Sequence, residues 1–306
     1  MMRYITKGLI NIVKLVFVQL GWNYYGFKLK MKNIKQLKYS VLFVMLLHTT
    51  TTIAQVQWIH DFELGRAIAI EQKKWMVVDF WASWCGPCKR MDDKLWQTTA
   101  INSVKDNFVF VKVDFDRKRE LAKYFSVKSL PTVLIMDPNK AVIDRKTGYR
   151  HTDEYINWFK KIPNADLKNV YTAMIPMIRN RKSSVAHLKL GVAYQNLAMS
   201  LSNASIRSVF IKQSNQQFKV ILKKSKNEDL LHKVQLYKLL NKAIAGKSKS
   251  VLKKLNQKTP IDYTTELVEL VHFIKCYCYL KEGNDKALSI EKKQLKNLDM
   301  LALLEQ

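Results

Sequence analysis

The sequence predicts an α/β domain followed by an all-helical one, and three observations carry that prediction. The run Trp75-Met76-Val77-Val78-Asp79-Phe80-Trp81 is short, β-branched and apolar, and a stretch able to form a helix follows it closely. From Asp166 onward strand signals give way to apolar residues at helical spacing. The full length of 306 residues has room for two domains. The boundaries read this way are an N-terminal extension over residues 1–54, an α/β domain over 55–163 and a helical domain over 164–306.

The extension has the three-part order of a secretory signal. Residues 31–38 are basic, Val41-Leu42-Phe43-Val44-Met45-Leu46-Leu47 is apolar, and Ala54 offers a small residue before a cut. The expectation is export, with cleavage after Ala54, and the apolar core is too short to span a bilayer comfortably. A second basic and apolar stretch precedes this signal, so Met31 is read as the true start and residues 1–30 as upstream sequence. No cysteine stands at the junction to take a lipid anchor.

In the α/β domain, residues 76–80 read as a buried strand and residues 89–96 as a helix, with Trp84-Cys85-Gly86-Pro87-Cys88-Lys89 between them. Two cysteines three positions apart can share one disulfide or stand as two thiols. Cys85 falls at the helix start, where unpaired amides and the helix dipole favour a thiolate. Pro87 suits the first turn because its missing N–H needs no partner there. Cys88, one turn on, is expected to be the less exposed and placed to attack a mixed disulfide on Cys85. Asp79 is an acid within the apolar run; if buried, its pKa rises and it can exchange a proton with Cys88. The alternative makes Asp79 a solvent-facing strand end and the cysteines half of a zinc site. Such a site needs two further ligands, and only Cys276 and Cys278 remain, in an unsuitable pattern.

Residues 78–89, Val-Asp-Phe-Trp-Ala-Ser-Trp-Cys-Gly-Pro-Cys-Lys, resemble the active-site segment of thioredoxins almost position by position. Phe108-Val109-Phe110-Val111-Lys112-Val113-Asp114 is similar to the family's next central strand, and Ser129-Leu130-Pro131-Thr132 to its cis-proline turn. Asn139-Lys140 then reads as a hairpin turn, and Gly148 falls where that fold keeps a glycine. The resemblance covers roughly residues 56–163. It implies a thioredoxin fold, a central mixed β-sheet flanked by helices, followed here by helical hairpins. The stretch 92–106 looks more like the C-terminal domain of DsbD-type reductases than like small thioredoxins.

The resemblance also implies roles. Pro131 in cis exposes the Leu130 backbone to a substrate strand beside Cys85, Trp84 lies flat beside the thiols, Trp81 packs beneath, and Lys112 tunes Asp79. Without it, Pro131 is an ordinary strand-entry proline, the tryptophans are core aromatics and Lys112 is a solvated strand-end lysine. Gly86-Pro87 puts no cation beside the Cys85 thiolate, and a cation there would make the pair more oxidising. A reductant is therefore expected. No cofactor is called for.

The helical region shows breaks near 181–184, 202–205, 224–227, 246–250, 259–260 and 282–285, which predict six or seven helices. Leu190-Gly191-Val192-Ala193-Tyr194 and residues 280–288 resemble parts of tetratricopeptide repeats, though neither continues through a full period. A docking surface for partners and a stabilising appendage are both open readings. Cys276 and Cys278 lie two apart on a helix and cannot readily pair, so they read as buried structural thiols; His272 adds one further candidate ligand, too few for a metal site.

Four cysteines are too few for a disulfide-stapled scaffold. The net charge of +27 is uneven: residues 1–54 carry eight Lys or Arg and no acid, and the region after 163 carries most of the rest. No nucleic-acid motif accompanies it, so a solvated lysine-rich face is expected and no nucleic-acid partner is expected. The sequence thus leads to a protein-disulfide reductase of the bacterial periplasm or cell envelope, acting on disulfide-containing proteins and supplied by a membrane-embedded electron donor. An isomerase or oxidase on the same fold is the redox alternative. A non-catalytic binding protein acting through its basic helices is the other.

Overall fold

The computed structural model describes residues 56–162, 167–257 and 263–305. The expected start at Met31, the signal over 31–54 and the cut after Ala54 lie outside the described residues. Among the described residues no helix is long and apolar enough to cross a membrane.

Five strands form one mixed sheet in the order β1-β3-β2-β4-β5. β1 (Trp58–Ile59), β3 (Phe108–Asp114) and β2 (Trp75–Trp81) run parallel, and β4 (Thr132–Met136) and β5 (Val142–Thr147) follow as antiparallel neighbours. Helices α1 (Phe62–Gln72), α2 (Gly86–Met91), α3 (Arg119–Tyr124) and α4 (Thr152–Lys160) flank it. This is the mixed sheet and helix arrangement expected from the sequence. β2 is central and covered on both faces, which is why its sequence is a continuous apolar run rather than an alternating one.

The strand period of two divides the core. Met76, Val78 and Phe80 face one side with Val109, Val111, Leu134 and Met136, against Phe62 and Ala69 of α1 and Ala122 of α3. Trp75 and Val77 face the other with Phe108, Phe110, Val133 and Ile135, against Tyr155, Ile156 and Phe159 of α4. Asp79 shares this second side, and its register partner on β3 is Lys112.

Among the described residues eight helices follow: α5 (Lys168–Arg179), α6 (Ser184–Ser200), α7 (Ala204–Lys224), α8 (Glu228–Ile244), α9 (Ser248–Gln257), α10 (Thr265–Glu282), α11 (Asp285–Lys292) and α12 (Leu298–Leu304). The count exceeds the six or seven expected because residues 293–297 hold a break with neither glycine nor proline. There Glu269 accepts the Lys296 and Asn297 backbone N–H groups, both at 2.6 Å, and Asn297 caps α12. Side-chain caps at Ser183, Asn203 and Asn227 start α6, α7 and α8. Cys276 and Cys278 are buried free thiols on α10, and burial pushes them up to about 11 and about 12.

The helices join the sheet at one end. The Tyr171 hydroxyl donates to the Lys74 carbonyl (2.9 Å), the Tyr194 hydroxyl donates to Asp137 just past β4 (2.6 Å), and the Trp75 and Phe210 rings lie 5.8 Å apart. Lys74 and Trp75 open β2, whereas Cys85 follows its other end. The apolar side of the sheet that carries Trp75 and Val77 continues into α5–α10 as one core.

Candidate redox site

Beyond Trp81 the chain turns, with the Cys85 N–H bonded to the Ala82 carbonyl (3.1 Å), and enters α2. Cys85 is the N-cap residue: its backbone is extended and its Sγ accepts the Cys88 N–H at 3.1 Å. Pro87 occupies the first turn, as expected. Cys85 and Cys88 form a disulfide. Cys85 is 3% exposed and Cys88 2%, so the predicted difference in exposure nearly vanishes, because Trp81 and Leu130 pack against both with Ala82.

The Leu130–Pro131 peptide bond is cis. The Pro131 carbonyl accepts the Gly148 N–H (2.8 Å), and the Thr132 hydroxyl donates to the Ser129 carbonyl (2.7 Å), which fixes this turn to β5 and to its own loop. Gly148 has φ +82°, a conformation that favours glycine. Trp84 stands 67% exposed, and its indole N–H donates to Asp116 at 2.8 Å. Asp116 was not singled out in the sequence; it lies 32 positions from Trp84, and nothing local marks it.

Asp79 is buried, so it is not a solvent-facing strand end, and its Oδ1 has no hydrogen-bond partner among the described residues. Burial pushes its pKa from 3.8 up to about 7; Lys112 opposes the rise, and the nearby Asp92 charge adds to it. Lys112 is likewise buried rather than solvated. Its ammonium forms an ion pair with Asp92 and lies 5.1 Å from the Trp58 ring centroid and 5.0 Å from that of Trp81.

Asp92 is a second residue that sequence reasoning missed. The helix expected over 89–96 ends at Met91 and widens into a π turn, Asp92–Trp96, closed by the Gln97 N–H on the Asp92 carbonyl (3.0 Å). The only local signal was an acid one turn after Cys88. Among the described residues no group of side chains is arranged to hold a metal ion. His272 instead bonds Glu291, whose other oxygen takes Lys275 at 3.2 Å.

The arrangement can pass two electrons: a helix-capping sulfur, a partner sulfur one turn on, and a buried carboxyl able to hold or release a proton near neutral pH. The thioredoxin family model matches residues 60–161. The chain is 34% identical over 87 residues to a thioredoxin of Mycoplasmoides gallisepticum, covering 28% of this chain and 81% of that one. It is 31% identical over 103 residues to thioredoxin-1 of Drosophila melanogaster, covering 34% and 89%. It is 39% identical over 87 residues to mitochondrial thioredoxin of Bos taurus, covering 28% of this chain but only 51% of that one. Identity at this level across most of the length of two thioredoxins, with the family model spanning the cysteine pair, makes the chain a member of the thioredoxin family of thiol-disulfide oxidoreductases.

Proposed function

We propose that the protein is a protein-disulfide reductase of the cell envelope. The observation that carries this reading is the helix-capping Cys85 joined to Cys88, with Gly86-Pro87 between them and buried Asp79 on the adjoining strand. In the reduced state the Cys85 thiolate attacks one sulfur of a target disulfide. A Cys85–target bond forms, and the other target sulfur leaves with the electron pair. Cys88 then gives its proton to the Asp79 carboxylate and attacks the Cys85 sulfur. The Cys85–Cys88 bond forms, the Cys85–target bond breaks, and the second target thiolate departs. Two electrons have passed from the dithiol to the target. The Pro131 turn, with Leu130 packed beside the cysteines, aligns the incoming strand, and exposed Trp84 borders it.

The direction of transfer rests on the dipeptide between the cysteines, which brings no cation to the Cys85 sulfur. Export rests on the basic and apolar order of residues 31–54. An exported reductant needs its electrons restored, and a membrane-embedded dithiol donor fits that need. The helices can serve as a docking surface, and they attach at the end of β2 away from Cys85.

The deciding experiment is equilibration of the Cys85–Cys88 couple against graded thiol buffers. A potential near that of thioredoxin, about −270 mV, is expected; one near about −120 mV, as for strong oxidants, rejects the reductase. Sequencing the N-terminus of the protein purified from the envelope checks export, with Gln55 expected first and an intact Met1 fatal to it.

A further inference from the structure

Lys112 has two carboxylates to choose from. Asp79 is its register partner on β2, and Asp92 reaches it from the π turn after α2. The ion pair goes to Asp92, while Asp79 Oδ1 is left without a partner among the described residues. The Lys112 ammonium is held in that position on two further sides by the Trp58 and Trp81 rings. A buried carboxylate beside an unclaimed lysine would pair with it, and would then be a weak base at neutral pH.

We propose that Asp92 is a positioning residue for the redox reaction: by claiming the Lys112 ammonium, it leaves Asp79 free to take the Cys88 proton. This rests on the reading of Asp79 as the proton acceptor. The groups around Asp79 are few. Lys112 comes from β3, and Asp92 and Trp96 from the π turn; Tyr155 comes from α4 and spends its hydroxyl on the Gly148 carbonyl at 3.2 Å. Its neighbour across to β4 is Val133, which brings no charge. Among the described residues, only Lys112 and Asp92 therefore bring a full charge to bear on Asp79, and both directions of their influence agree with the geometry. The π turn is what brings Asp92 to Lys112, so this irregular element has a chemical consequence.

The test is a pH titration of the Asp79 carboxyl, followed by carbon NMR on the full-length oxidised protein with labelled aspartate. Asp92→Asn frees Lys112, so the Asp79 midpoint is expected to fall by about one unit, a tenfold loss of proton affinity. Asp92→Glu keeps the ion pair and should restore the midpoint. An Asp92→Asn midpoint that stays or rises overturns the proposal. Repeating Asp92→Asn in a Lys112→Met background separates the routes: a much smaller fall supports action through Lys112, and an equal fall shows direct repulsion and rejects it. These midpoints do not depend on what Asp79 does in turnover. If Asp79→Asn leaves the reduction rate unchanged, the proton-acceptor reading fails while the Asp92–Lys112 result stands.

Discussion

A carboxyl group inside a dry strand is a base, and it is also a stability cost. Asp79 has a pKa of about 7 in the folded chain against 3.8 when solvated. Between those values the native state keeps a proton that the unfolded chain releases. Stability therefore falls as pH rises from about 4 to about 7 and then levels, with a limit of about 4 kcal/mol for this one group. Asp137, pushed up to about 6 by burial, slopes the same way, so only the difference between variants isolates Asp79. Asp79→Asn should be more stable than the parent at pH 8 and much closer to it at pH 4, by urea denaturation. It should also reduce a protein disulfide about a hundredfold more slowly at neutral pH. A gain in stability at pH 8 no larger than at pH 4 would refute the buried-charge account. Asp79, the cysteines and Pro131 were legible because each lies within a short contiguous motif. Asp92 was not, since what gives it meaning is a lysine 20 positions away on another strand.

At the level of elements, the breaks between helices were legible where polar caps interrupt the apolar spacing, as at Ser183, Asn203 and Asn227. The break at 293–297 was not, because its stabilising partner is Glu269 on α10. The π turn at Asp92–Trp96 was hidden for a similar reason: its residues have ordinary helical propensities, and tertiary pairing selects the wider turn. The close approach of α6 and α7 shows how one residue sets an element pair. A Cβ on Gly191 would lie 2.5 Å from Phe218 Cε1, and Phe218 is fully buried with nowhere to move. Gly191→Ala gains up to about 1 kcal/mol of helix propensity but overpacks this contact by about 1–3 kcal/mol. A net loss of stability is expected, and Phe218→Leu in the same chain should recover part of it. An alanine variant that melts above the parent would show that the helices separate at little cost.

Across the whole molecule, the sequence separates an α/β part from a helical part, yet one face of the sheet shares its core with the helices. Strand alternation marks Trp75 and Val77 as buried but is blind to what covers them, whether a local helix or one far along the chain. The Asp137–Tyr194 bond shows how closely the two parts are tied. Asp137 follows β4 and receives the Ala141 N–H (2.8 Å) on one oxygen and the Tyr194 hydroxyl from α6 (2.6 Å) on the other. That hydroxyl stabilises the charged carboxylate and opposes the rise that burial causes. Tyr194→Phe should therefore raise the Asp137 pKa further and weaken the fold most where the carboxylate is ionised. The expected loss is about 1–3 kcal/mol at pH 8 and less at pH 5, read from urea denaturation of the parent and variant chains. A loss that is larger at pH 5 would contradict the sign and with it the account of this junction. Because Asp137 lies at the end of the sheet away from Cys85, the Cys85–Cys88 potential should stay unchanged in the same variant. The Asp137–Tyr194 bond then contributes to stability at the end of β2 away from the redox pair, without bearing on its potential.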